Sequence, residues 1–318
     1  MIFPFATVAV IFCPFMVESD MQYKTLGKSE LRVSEIGFGC MSLGEDDGQN
    51  QQILHRALES GINLFDTADL YAKGRNEETL GRFFKGIRQQ VVLATKVGNQ
   101  WRPDGSGWDW NPRKDYIMQA VEASLKRLQT DYIDLYQLHG GTLDDPIDET
   151  IEAFELLMQQ GKIRAYGISS IRPNVIREYV NRSRIASVMM QYSLLDRRPE
   201  ESCLDVLREN QIGVLSRGSV AQGLLINKPP APYLNYAEKE VSQAAKAVRA
   251  LVNKERTEAQ IAIRYVLHHP SVTSAVLGIR TLDQLEEGIG VVGIQPFSSE
   301  EIRWLSQAIR ANQYEQHR

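Results

Sequence analysis

The chain has 318 residues, 43% hydrophobic and 24% charged, with a formal net charge of −4, a composition ordinary for a globular protein. Lys and Arg form no stripe, which argues against a nucleic-acid or acidic-membrane partner. Cys13, Cys40 and Cys203 are far apart and form no CxxC pair, so neither a disulfide framework nor a zinc site is expected, and a reducing, cytoplasmic compartment is.

Residues 1–17 are apolar and uncharged, yet broken by Pro4 and Pro14. They lack the basic n-region and small-residue cleavage site of a secretory signal, and fall short of the ~20 apolar residues that a membrane span needs. An upstream start before Met21 and a hydrophobic anchor both fit. Residues 1–20 are therefore read as a leader and residues 21–318 as one domain.

The domain opens with two short strand-like runs, 23–26 and 31–33, around Gly27-Lys28. They are read as a hairpin plugging the bottom of the fold that follows. Apolar runs at 36–38, 62–65, 91–95, 133–138, 163–168, 187–190, 212–215 and 274–277 then alternate with helical spacing at 51–60, 77–84, 113–128, 147–160, 173–181, 200–210, 238–251 and 257–268. Short apolar strands between amphipathic helices mark a parallel sheet covered on its outer face. Gly61, Gly161 and Gly213 sit where chain reversal after a helix needs a positive φ. Eight such strands favour a closed (β/α)8 (TIM) barrel over an open doubly wound sheet. The polar segment 298–313 has helical spacing and reads as a barrel-covering helix.

Ionisable residues follow successive strands: Asp66 after the second, Lys96 after the third and His139 after the fourth, with Tyr71 in the loop after Asp66. In a barrel these are C-terminal strand ends, the rim on which active sites are built. Each residue alone has a plainer role, Asp66 as a helix cap, Lys96 as a solvated rim residue, His139 as a loop histidine and Tyr71 as packing. Together they would be four coincidences on neighbouring elements. A tyrosine titrates near pH 10, and a nearby cation such as Lys96, itself held charged by Asp66, favours its phenolate. That arrangement suits a proton donor, with His139 hydrogen-bonding the same oxygen or relaying the proton.

Asp66-Thr67-Ala68-Asp69-Leu70-Tyr71 resembles the D-T-A-x-x-Y signature of the aldo-keto reductase family. Ala94-Thr95-Lys96 resembles its lysine strand, and Asp134-Leu135-Tyr136-Gln137-Leu138-His139 its histidine strand. The resemblance runs from about Tyr23 to about Phe297. It implies a catalytic tetrad of Asp66, Tyr71, Lys96 and His139, reduction of small aldehydes and ketones, and NADPH bound without a Gly-x-Gly-x-x-Gly loop.

By the same resemblance, Gly39, Cys40 and Met41 lie near the nicotinamide ribose, beside Asp66, and Ser169, Ser170 and Gln191 hold the carboxamide. The run Ser216, Arg217, Gly218, Ser219, Val220, Ala221, Gln222, Gly223 resembles a pyrophosphate loop, whose small residues let backbone N–H groups approach phosphate oxygens. Arg217 stands where many relatives have an aromatic, and its planar guanidinium can also stack. Gly278, Arg280, Gln284 and Glu287 resemble the motif gripping the 2′-phosphate and adenine, which favours NADPH over NADH. Gly288 replaces a frequent Asn.

Trp101, Trp108 and Trp110 share the loop 97–111. They form either an apolar wall of the substrate pocket or simple packing over the barrel mouth. Two other functions stay open on the sequence: a cofactor-binding sensor or regulatory subunit with little turnover, and a lyase or aldolase using Lys96 as a Schiff base.

Overall fold

A computed structural model describes residues 20–318. The apolar leader, apart from Asp20, lies outside them. An antiparallel hairpin of β1 (Tyr23–Thr25) and β2 (Arg32–Ser34) comes first. The barrel strands are β3 (Ile36–Gly39), β4 (Leu64–Asp66) and β5 (Val92–Val97), then, after a second small hairpin of β6 (Asn99–Trp101) and β7 (Trp108–Trp110), β8 (Ile133–Leu138), β9 (Ile163–Ser169), β10 (Ser187–Gln191), β11 (Gly213–Arg217) and β12 (Val272–Gly278). Each barrel strand runs parallel to the next, and β12 pairs with β3 to close the ring.

Outside lie α1 (Asp47–Glu59), α2 (Arg75–Phe83), α3 (Lys114–Leu128), α4 (Ile147–Gln159), α5 (Pro173–Arg182), α6 (Cys203–Glu209), α7 (Glu238–Arg249), α8 (Glu258–His268), α9 (Leu282–Ile289) and α10 (Ser299–Gln307). Their starts follow local chemistry. Asp46 accepts from the N–H groups of Gly48 and Gln49 at α1, and Thr257 forms a capping box with Gln260 at α8, each satisfying amides that the first helical turn leaves unpaired.

All eight expected barrel strands are present, most displaced by one or two residues. The region expected to be one helix at 200–210 is a 3-10 turn, Arg198–Glu201, followed by α6. Helix α10 stops at Gln307 rather than at 313. The remaining tail turns back over the strand-end loops, where the Asn312 carboxamide accepts from Arg197 N and the His317 carbonyl from Asn174 N.

Gly61 and Gly161 do take positive φ, 85° and 72°. At Gly213 the expected reason is wrong: Gln211 makes the reversal at φ 54°. Gly213 is glycine because a β-carbon there would sit 2.7 Å from Leu26 Cδ1 and 3.0 Å from Gly27 N.

That contact seals the barrel floor. Leu26, Leu31 and Val33 of the hairpin form one apolar cluster with inward-facing Leu64, Val92, Ala94, Leu135, Ala165, Met189, Leu215 and Val276. Gly27 holds φ 57°, and a β-carbon on it would approach the Ala186 carbonyl to 2.2 Å. Gly27→Ala should therefore destabilise the fold by about 1–3 kcal/mol through overpacking and backbone strain. Denaturant unfolding checks this, and an unchanged midpoint would contradict the plug's close seating.

Candidate active site

Strand alternation carries the apolar floor into a polar ring. Two residues beyond an inward-facing apolar residue lies the next inward position, so Leu64 leads to Asp66, Ala94 to Lys96, Leu135 to Gln137, Met189 to Gln191 and Leu215 to Arg217. Register aligns them across the barrel: Asp66 pairs with Ala94, Lys96 with Gln137, and Gln191 with Arg217. The upper layer of a TIM barrel is the one open to substrate.

At the centre of this ring is Lys96, buried at 1% exposure. Its ammonium donates to Asp66 Oδ2 at 2.6 Å, the Thr67 carbonyl at 2.7 Å and the Tyr71 phenol oxygen at 3.4 Å. An ammonium has three N–H donors, and each has an acceptor. Gln137 Nε2 donates to the other Asp66 oxygen at 3.3 Å. Burial alone would pull Lys96 down, but Asp66 and Tyr71 more than offset it, so the amine is held charged.

Burial raises the Tyr71 phenol above its ordinary value, and the cations Lys96 and, more weakly, Arg217 only oppose this. The lowered value expected from the lysine alone is thus not the net outcome. Tyr71 is a protonated phenol at neutral pH. His139 packs edge-on against it, with ring centroids 5.9 Å apart. Burial, then the positive charges of Lys96 and Arg217, bring His139 down to about 3. Its imidazole is neutral, and Nδ1 is buried without a partner among the described residues.

The residues named for a cofactor fall around this centre in different states. Gly39 faces the Leu277 carbonyl so closely that a β-carbon would sit 3.0 Å from it, whereas Met41 is 65% exposed. Cys40 offers only backbone: its thiol is buried, 3.7 Å from the Phe38 carbonyl that accepts from it. Ser169 ends β9 half-buried, while the Ser170 hydroxyl accepts from Arg172 N at 3.2 Å. Gln191 is held between Arg217 Nη1, which donates to its Oε1 at 3.0 Å, and Tyr233, whose hydroxyl accepts from its Nε2 at 2.8 Å.

Beyond Arg217, the Ser216 hydroxyl is turned into the sheet toward the Ser274 carbonyl at 3.4 Å. Gly218, Ala221, Gln222 and Gly223 all have positive φ, with Val220 half-buried between them. The Ser219 hydroxyl is buried and unpartnered among the described residues. At the far end, Gly278 and Arg280 are exposed before α9, and Gln284 Oε1 accepts from Arg280 N at 2.9 Å. Glu287 accepts from the Thr257 hydroxyl at 2.7 Å rather than pairing with Arg280. Gly288 is explained by packing, since a β-carbon would come within 2.8 Å of Leu277 Cδ1.

The three tryptophans divide. Trp110 leans over Gly98 and Gly140, next to His139, and its indole N–H donates to Asp145 Oδ1 at 2.9 Å. Trp101 and Trp108 line an outer cleft with Leu70, Ala72, Lys73 and Arg75.

Sequence reasoning missed Gln137, although it stands two residues before His139 and alternation alone would have turned it inward. It also missed the support behind the lysine strand: outward-facing Thr95 donates to Glu77, which is buried and paired with Arg127 at 2.7 Å. Within the tyrosine motif, burial and the Glu77 carboxylate raise Asp69 to about 8. Tyr233 carries no local signal, because its partner Gln191 is distant in sequence.

Among the described residues no helix is long and apolar enough to cross a membrane, and no three His, Cys, Asp or Glu cluster as a metal site. The model of the Aldo/keto reductase family matches residues 35–310. An uncharacterized oxidoreductase, YqkF of Bacillus subtilis, is 49% identical over 94% of this chain and 100% of its own length. The Schizosaccharomyces pombe aldo-keto reductase yakc, named for NADP(+), is 30% identical over 83% of this chain and 85% of its own. The holo form of aldo-keto reductase AKR11C1 from Bacillus halodurans superposes with a TM-score of 0.88 at 51% identity, covering 93% of this chain and 99% of that one. The chain belongs to the aldo/keto reductase family of nicotinamide-dependent oxidoreductases.

Proposed function

We propose that this chain reduces aldehydes and ketones to alcohols with NADPH, reversibly, and that Tyr71 gives the proton to the carbonyl oxygen. One observation carries the reading: a fully engaged, buried ammonium donates to the phenol oxygen of a protonated tyrosine. Because Lys96 donates to that oxygen, the phenol's own hydrogen is free to point at a substrate. As the proton leaves, negative charge develops on an oxygen that already faces a cation, in a site where such interactions are strong. Neutral His139 cannot be the acid near pH 7, but its N–H can bond the same carbonyl oxygen and fix its place.

When bound, the nicotinamide supplies the hydride, and the protein supplies position and electrostatics. The fit of the cofactor residues rests on the orphaned Ser219 hydroxyl, the left-handed backbone around it and the close approach at Gly39. Arg217 and Gln191 would meet the nicotinamide end. Exposed Arg280, which has no carboxylate partner among the described residues, favours NADPH by offering a guanidinium to the 2′-phosphate. We further read residues 21–318 as one domain acting in the cytoplasm, a compartment supported by the free Cys40 and Cys203.

A Schiff-base role for Lys96 needs an uncharged amine, whereas every N–H is occupied and Asp66 holds the charge. A cofactor-binding sensor with little turnover is the alternative, and measured turnover separates it from the reductase.

Tyr71→Phe should keep NADPH binding, followed by fluorescence titration, and lose about 10²–10⁴-fold in carbonyl turnover. Turnover near the wild-type rate with a good aldehyde would overturn the proposal. A second prediction concerns acid stability. His139 titrates near 3 when folded against 6.5 ordinarily, so between these values the unfolded chain binds more protons at this site. The stability that neutral His139 contributes is complete above pH 6.5 and is lost as pH falls toward 3. His139→Gln should flatten the stability slope near pH 5 by up to about 1.4 kcal/mol per pH unit. Unfolding curves across that range test it, and an unchanged slope would show that His139 protonates freely.

A further inference from the structure

The residues following Tyr71 adopt an unusual backbone. Ala72 lies at φ 49°, ψ 35° and Lys73 at φ 56°, ψ 40°, immediately before Gly74 at φ 87°. For residues other than glycine the left-handed region costs roughly 1–2 kcal/mol each, and such outliers concentrate where function requires them. Their consequence here is the position of Lys73. Its exposed side chain reaches from the tyrosine loop to the β6–β7 hairpin, with Nζ 5.2 Å from the Trp101 ring centroid and 3.4 Å from the Gly105 carbonyl.

Between loop and hairpin lies an open cleft of about 590 Å³. Leu70 and Ala72, which flank Tyr71 in the chain, line one side of it, so the cleft adjoins the loop that carries the phenol. Trp101 and Trp108 form the other wall, and Trp108 is 46% exposed. The neighbouring charges are already satisfied. Arg75 pairs with Glu45 at 3.0 Å, Asp109 pairs with Arg102, and Asp104 accepts from Ser106 N at 2.9 Å. Among the described residues Lys73 alone of the cleft's two cations has no carboxylate partner.

We propose that this cleft receives the far end of the substrate, and that Lys73 selects aldehydes carrying a carboxylate across a flat apolar body. The exposed Trp108 suits the flat body, and an ammonium held only by a carbonyl and an aromatic ring, with no carboxylate partner among the described residues, suits the terminal anion. This deepens, and rests on, the carbonyl reduction proposed above. Tyr71 and Lys73 are two residues apart, so the loop that carries the phenol also carries the ammonium.

The test compares NADPH-dependent reduction of 4-carboxybenzaldehyde with that of its uncharged analogue, methyl 4-formylbenzoate, by the wild type, Lys73→Gln and Lys73→Arg. The wild type should favour the acid over the ester in kcat/KM by about tenfold, through KM, as expected when an interaction is equal in ground and transition states. The preference should collapse in about 1 M salt, where the Debye length is about 3 Å. Lys73→Gln should bring the ratio near one, and Lys73→Arg should keep it. A wild-type ratio of one or below, or an undiminished ratio in Lys73→Gln, overturns the subsite while leaving carbonyl reduction standing. Reduction of neither compound, nor of any simple aldehyde, would instead defeat the carbonyl-reductase reading on which it rests.

Discussion

The site depends on one buried ion pair. Asp66 and Lys96 meet at 2.6 Å with almost no solvent access. Two charges taken out of water are costly unless their remaining donors and acceptors are also satisfied. Here they are: the Thr67 carbonyl, Gln137 and Tyr71 complete the set. The pair keeps a full positive charge at a fixed place inside the barrel, and the tyrosine is the group exposed to that charge. The same charge adds to the burial that keeps His139 neutral, and it opposes the burial that keeps Tyr71 protonated.

The barrel makes this affordable. Below the polar ring lies a layer of Leu, Val, Ala and Met, and below that the hairpin with Leu26 and Val33. This apolar column fixes strand register, and register brings Lys96 opposite Gln137 and beside Asp66. A shift of one residue in any strand would turn its polar side chain into the helix layer. Outside the barrel, buried Thr95 and Glu77 form a network with half-buried Arg127 on the opposite face of the lysine strand. Both faces of that strand are therefore anchored by polar contacts.

Much of this was legible in the sequence because it is periodic or adjacent. Strand runs, helix spacing and the strand-end positions of Asp66, Lys96 and His139 are local patterns, and the aldo/keto reductase resemblance rests on contiguous motifs. Properties decided by distant partners were not legible. Gly213 looked like a helix terminator but answers to Leu26, far away in sequence. Tyr71 was expected to be made acidic by Lys96, yet burial, which no motif records, sends it the other way. Nor does the sequence show that the Cys40 side chain faces the interior, which leaves its backbone as the part that a ligand could meet. The Gln191–Tyr233 contact joins residues 42 positions apart, and the left-handed Ala72 and Lys73 occupy positions where composition gives no warning.

The central claim is that the Lys96 charge makes loss of the Tyr71 proton tolerable. Its most direct test is single-turnover hydride transfer from bound NADPH to an aldehyde in the double variant Asp66→Asn/Lys96→Met, which removes the cation without leaving a buried charge uncompensated. The account predicts a folded protein that still binds NADPH but transfers hydride at least about 10²-fold more slowly, the lower range for a lost acid–base contribution. Hydride transfer within a fewfold of the wild-type rate in that variant would contradict it.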